Sequence, residues 1–210
     1  MCTRFYIDIS DKELQEIVAA AESSALAEKF RQAGDTLTSS GEVRPENVAA
    51  CIATARSGRR AVFPMKWGFH LTGLRGAGSV TTILNARSET APQKKTFREA
   101  WEHHRCIIPA SWYFEWEHPV SPGGRKKTGQ KYAIQPEKTA VTWLGGLYRM
   151  EEGLPRFVVL TRPPADSISF IHDRMPLILP QAQIDQWIDP SADPEHVLGC
   201  ALSEMSFRAV

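Results

Sequence analysis

The chain has 210 residues, 42% hydrophobic and 23% charged, with 25 Lys+Arg against 24 Asp+Glu for a formal net charge of +1. That length suffices for one substantial hydrophobic core, and the composition is that of an ordinary soluble globular protein. Near-zero net charge excludes whole-molecule attraction to nucleic acid or membrane, so any polyanion site must be a local cluster.

In chain order, residues 2–9 (Cys-Thr-Arg-Phe-Tyr-Ile-Asp-Ile) read as a strand that ties the chain start into a sheet. Alternation puts Cys2 and Arg4 on one face of it. Ser10 followed by Glu13 is a capping-box pattern and opens an amphipathic helix with Leu14, Ile17, Val18, Ala21, Leu26 and Phe30 on one face. Residues 34–47 are polar and turn-rich, strands are predicted at 48–55 and 60–64, and 72–79 is a flexible Gly-rich loop. Those glycines are no phosphate cradle, because no Lys-Ser/Thr follows at the required spacing. Further strands are predicted at 80–86, 105–110, 112–117, 130–135, 141–149, 156–161 and 175–179, and helices at 94–104, 166–171, 181–187 and 194–204.

Many short strands with few helices between them predict an α+β fold: one domain over residues 1–210, with a curved, mostly antiparallel, barrel-like sheet and peripheral helices. The first thirteen residues include Arg4, Asp8, Asp11, Lys12 and Glu13, which is no signal peptide, and no later apolar run reaches membrane-spanning length. A cytoplasmic location without membrane association follows as an expectation.

Cysteines at 2, 51, 106 and 200 show no Cys-x-x-Cys pair and no zinc spacing, so free thiols and no metal are expected. Cys51, Cys106 and Cys200 lie in apolar stretches and read as small core residues. Cys2 differs. If Met1 is removed, Cys2 carries an α-amine (pKa about 8) and a thiol (pKa about 8.5) on adjacent carbons, both partly reactive near neutrality. Such a 1,2-aminothiol condenses with an aldehyde through a Schiff base that the sulfur closes to a thiazolidine. No internal cysteine can do this.

Three other segments carry candidate chemistry. Asn85 and Arg87 share a strand face, as a site pair or as a turn cap and a surface charge. A carboxylate between Phe114 and Trp116 in a strand is partly desolvated, which suits Glu115 to proton transfer unless it lies on a wet sheet face. His172 stands at a helix-to-strand junction, as an acid/base group or as a helix cap. Basic runs at Arg56/Arg59/Arg60, Lys94/Lys95 and Arg125/Lys126/Lys127 are candidate flanks of a nucleic-acid channel, or solvated loops.

Together the segments form a recognisable pattern. Cys2-x-Arg4, Trp67-Gly68, Asn85-Ala86-Arg87-x-Glu89-Thr90, Arg105-Cys106-x-x-Pro109-Ala110 leading to Glu115-Trp116, and His172-Asp173-Arg174-Met175-Pro176 resemble the SOS-response-associated peptidase family, in the family's order. The resemblance implies a covalent sensor of abasic sites in single-stranded DNA, joining the ring-opened sugar aldehyde to the processed Cys2 as a thiazolidine. By the same resemblance Cys2 supplies amine and sulfur, and Glu115 opens the sugar ring and assists Schiff-base formation. His172 protonates the sugar oxygen, Asn85 positions Cys2, Arg4 and Arg87 hold phosphates, and Trp67 and Pro45 line the DNA groove. No cofactor and no metal are implied. The partner is single-stranded DNA containing abasic sites, the protein is a monomer, and it associates with the nucleoid, or lies in the nucleus of a eukaryote. Thr3 stands where the family usually has Gly, Ser111-Trp112 replaces a frequent Asx/Gly pair, and Val210 ends the chain short of a C-terminal strand region many members carry. Two other functions fit the residues: an N-terminal-nucleophile peptidase with Cys2 attacking an amide, and a non-covalent reader of single-stranded DNA.

Overall fold

The computed structural model describes residues 2–73, 76, 78–117 and 129–210. The basic run at Arg125/Lys126/Lys127 lies outside the described residues. Fourteen strands are present among them: β1 Arg4–Ile7, β2 Gly41–Val43, β3 Val48–Thr54, β4 Arg60–Trp67, β5 Phe69–Thr72, β6 Val80–Ile83, β7 Asn85–Arg87, β8 Arg105–Ala110, β9 Trp112–Trp116, β10 Lys131–Pro136, β11 Thr142–Glu151, β12 Leu154–Arg162, β13 Met175–Pro176 and β14 Met205–Ala209. The helices are α1 Lys12–Glu22, α2 Ala25–Gln32, α3 Arg98–His103, α4 Ile184–Ile188 and α5 Pro194–Leu198.

Two sheets make the body. In the first, β14-β10-β9-β1-β2 run antiparallel side by side. In the second, β11-β8-β3-β4-β12 pair in that order and β12 returns to β11, which closes a five-stranded barrel; β7 and β13 attach to β12. The fold is thus α+β and mostly antiparallel with a barrel-like core. Only the β12–β4 and β12–β7 pairings are parallel among the described strands.

The barrel strands are near-continuous apolar runs because they are covered on both faces. In β3, Ala49, Cys51 and Ala53 join the core shared with the first sheet, whereas Ala50 and Ile52 pack with Leu14 and Ile17 of α1, Trp101 of α3 and Trp187 of α4. The first sheet is two-faced. Phe5, Ile7, Tyr113 and Ile134 point into the core. The opposite face carries Arg4, Tyr6, Trp112, Trp116 and Lys131, with Tyr6 stacked on Trp112 at 4.6 Å and 7°.

The predicted helix from Ser10 to Phe30 is two helices. Asp11, not Ser10, caps the first, accepting from the Leu14 amide at 3.0 Å. Ser24, with extended backbone, caps the second and accepts from the Ala27 amide at 3.3 Å. A serine pair whose hydroxyls compete for helix backbone groups breaks the helix there. The predicted C-terminal helix also stops early, at Leu198, and β14 follows as the edge partner of β10.

Arg105 bolts the second core together. Its buried guanidinium donates to the carbonyls of Trp187 (2.7 Å), Trp101 (2.7 Å), Glu102 (3.1 Å), Ala192 (3.0 Å) and Asp189. At the barrel's corner Gly68 takes a φ of +116°, and a Cβ there would collide with the Thr82 methyl, so the Trp-Gly pair is set by space and backbone.

Candidate functional site

Cys2 precedes β1, whose ladder begins at Arg4, so the pleat does not fix its side chain. It turns inward with Phe5 and Ile7, is 0% exposed, and shares their core cluster, while Arg4 points to the other side. The predicted common face for Cys2 and Arg4 is therefore corrected. A partly ionised thiol is expected of the chain without Met1, and the chain that carries Met1 differs from it. Burial, and then the charge of Glu115, push the Cys2 thiol far above its ordinary range, so it is protonated at neutral pH.

Three side chains surround this cysteine. Asn85, first residue of β7, donates from Nδ2 to the Cys2 carbonyl at 2.9 Å. Glu115 is 3% exposed on the inward face of β9, not on its wet side. Tyr113, two residues earlier, points the same way and belongs to the Cys2 cluster. His172 sits in the turn before β13, with Nδ1 3.0 Å from the Arg174 amide and 2.7 Å from Asp173 Oδ1. The neutral ring accepts from that amide and the protonated ring donates to Asp173. Its neighbours Ile171 and Met175 lie in the same core cluster as Cys2.

The cations fall into two groups. Arg87 is exposed at the end of β7 and makes no ion pair among the described residues. Nearby, Arg174 grips Glu89 with both nitrogens (2.7 and 2.9 Å), and this hydrogen-bonded pairing holds the Glu89 carboxyl below its ordinary range. Arg4 is not free: it pairs with Glu42 at 2.6 Å and lies over the Trp116 ring at 5.5 Å. Arg44 and Lys131 reach the same carboxylate at 2.9 and 3.3 Å. Burial of Glu42 opposes its ionisation, but the three donors outweigh it and lower its pKa. Three cations around one carboxylate leave a patch of two net positive charges beside the chain start.

Trp67 departs from the expected groove role. It is 0% exposed, its indole donates to the Leu84 carbonyl at 3.0 Å, and Phe157 and Phe5 pack on it at 5.9 and 5.2 Å. An aromatic enclosed in this way offers no ring face to a base. Pro45 is half-buried at the first corner of the Arg44–Asn47 turn, where Glu46 takes a φ of +67°. Tyr113 and Glu42 are not singled out by the sequence, and Arg174 is named there only within its motif, without a role. Alternation along β9 is the signal for the first, since it puts a phenol on the same side as Glu115.

Residues 1–209 match the profile of the family described as SOS response associated peptidase (SRAP). The chain belongs to the SRAP family. Curated relatives of this SRAP chain include the abasic site processing protein YoaM of Bacillus subtilis, 27% identical over 176 residues, covering 81% of this chain and 74% of that protein. YoqW of the same species, also named an abasic site processing protein, is 33% identical over 121 residues, covering 55% of this chain and 52% of its own. The SRAP chain thus spans about half the length of some of the curated relatives it matches. Among solved structures, a phage-related protein from Bordetella bronchiseptica superposes with a TM-score of 0.68 at 19% identity, covering 100% of this chain and 94% of the other. A Bacteroides thetaiotaomicron protein gives 0.67 at 20%, covering 98% and 91%, and both share the fold.

Among the described residues no cluster of three His, Cys, Asp or Glu side chains is placed to hold a metal ion, and no helix is long and apolar enough to cross a membrane. Cys51 and Cys106 are buried as expected, but Cys200 is only partly covered. Iodoacetamide at neutral pH should therefore modify Cys200 in the folded protein and all four thiols in denaturant, counted by intact mass. Rapid labelling of Cys2 in the folded chain that still carries Met1 would contradict its burial.

Proposed function

We propose that this SRAP protein captures abasic sites in single-stranded DNA by closing a thiazolidine on Cys2 after Met1 is removed. The observation that carries this reading is the convergence of Asn85 and Glu115 on a buried residue that would bear the chain's α-amine. The relatives' names point to the same class of lesion. The amine adds to the C1 aldehyde of the ring-opened sugar, and the carbinolamine loses water to give an iminium. The Cys2 sulfur then attacks that carbon, the C=N bond becomes C–N, and the thiol proton passes to the Glu115 carboxylate. A thiol kept protonated by burial needs such a base. His172 serves as the acid for the sugar oxygen.

For the DNA itself, Arg87 offers an exposed guanidinium that makes no ion pair among the described residues, and the Arg4–Arg44–Lys131 patch offers charge beside Trp116 and Pro45. Trp67 has no part in it. Binding in this groove weakens with salt, at a log–log slope near −0.7 per phosphate contacted.

The test is a denaturing gel of the Met1-free protein mixed with single-stranded DNA containing one abasic site. A shifted band is expected, and intact DNA must give none. Binding without a shifted band would instead support a non-covalent reader, and turnover of peptides would support the peptidase. Glu115→Gln should slow band formation about 100-fold, because it keeps shape but cannot take a proton. Its affinity for the DNA should stay within about twofold. Equal losses of rate and affinity would mark Glu115 as structural.

A further inference from the structure

We infer that the Tyr113 hydroxyl is a contact to the C1 oxygen of the abasic sugar as Cys2 captures it. The inference rests on the proposed function and names a group that the sequence pattern did not. Tyr113 is 1% exposed, lies opposite Phe5 in the β1–β9 ladder, and belongs to the same cluster as Cys2. Its hydroxyl is buried and has no hydrogen-bond partner among the described residues.

A buried hydroxyl without a partner is costly, and phenylalanine would fill the same space without that cost. The ring explains the packing and leaves the oxygen unexplained. A second group at the same place is in the same condition: Asn85 donates to the Cys2 carbonyl, yet its Oδ1 is buried without a partner among the described residues. One donor hydroxyl and one acceptor oxygen therefore wait beside the residue proposed to react. Ring-opened deoxyribose supplies both complements, an aldehyde oxygen that accepts and a C4 hydroxyl that donates.

Burial first, and then the neighbouring Cys2 and Glu115, raise the Tyr113 pKa well above the ordinary phenol range. The hydroxyl is thus a donor throughout the physiological range. A donor fixed on the C1 oxygen polarises the aldehyde toward the amine and then steadies the carbinolamine oxygen, which leaves as water once protonated. The phenol keeps its own proton throughout.

Tyr113→Phe in the Met1-free full chain tests this with three readings. The single-turnover capture rate at saturating abasic DNA should fall about 10- to 100-fold. Affinity for the same strand carrying a tetrahydrofuran analogue, which lacks the C1 oxygen, should be unchanged within about twofold. The thermal midpoint should rise by about 2–4 °C, because an unsatisfied buried group is removed. An unchanged rate, or parallel losses of rate, analogue affinity and midpoint, would overturn the contact and leave the proposed function standing. No capture by the wild-type protein would sink both.

Discussion

Cys2→Ala leaves no shifted band on a denaturing gel when the Met1-free protein is mixed with abasic single-stranded DNA. Alanine retains the α-amine, so a Schiff base still forms, but it hydrolyses once the protein unfolds. Only ring closure by sulfur makes the linkage survive. Borohydride separates the two stages: reduction should restore a band with Cys2→Ala by trapping the iminium, at reduced yield. The fold should tolerate the change, since removing one sulfur from a packed site costs about 1 kcal/mol, well inside the usual stability margin. Affinity should hold as well, because Arg87 and the patch around Glu42 are untouched. A band of normal intensity from Cys2→Ala without reductant would rule out the thiazolidine.

Arg105→Ala should leave little folded protein at 37 °C. The guanidinium satisfies carbonyls from α3, from the α4 end and from the turn before α5, and lies over the Trp187 ring at 5.7 Å. Its removal strips five carbonyls of their donor, those of Trp101 and Trp187 buried, and opens a cavity beside these two rings. Hydrogen bonds to a charged group are worth about 1.5–3 kcal/mol each, and truncating a large buried side chain to alanine typically costs about 2–5 kcal/mol. That is comparable with the whole stability of many domains. Urea unfolding followed by circular dichroism checks it. A midpoint within experimental scatter of wild type would show that Trp187 and α4 are held by packing alone.

Much of this architecture is legible in the sequence, for reasons that particular residues display. β8 is read to the residue because Arg-Cys-Ile-Ile-Pro-Ala is one apolar run between polar flanks, as a strand covered on both faces must be. Glu115 stands out because a lone carboxylate among Tyr-Phe and Trp has no solvent reason to be there. What stays hidden depends on partners remote in sequence. β2, of three residues, and β14, which carries no predicted element despite its alternating Met-Ser-Phe-Arg-Ala, are edge strands that exist because β1 and β10 offer open ladders. The inward turn of Cys2 is hidden for the same reason: strand alternation governs only residues inside the ladder, and Cys2 lies outside it. The family resemblance gives Trp67 a stacking role, yet Phe5 and Phe157, contributed by other strands, enclose it. Tyr113 reads as one more strand aromatic until the ladder reveals which way its hydroxyl faces.

The most direct measurement is the intact mass of the purified protein before and after incubation with an abasic oligonucleotide, followed by peptide mapping of the adduct. The account predicts a chain lacking Met1, a gain equal to the oligonucleotide less one water, and an adduct confined to Cys2. Retained Met1 in the species that captures DNA, or an adduct mapped to a lysine, would contradict it.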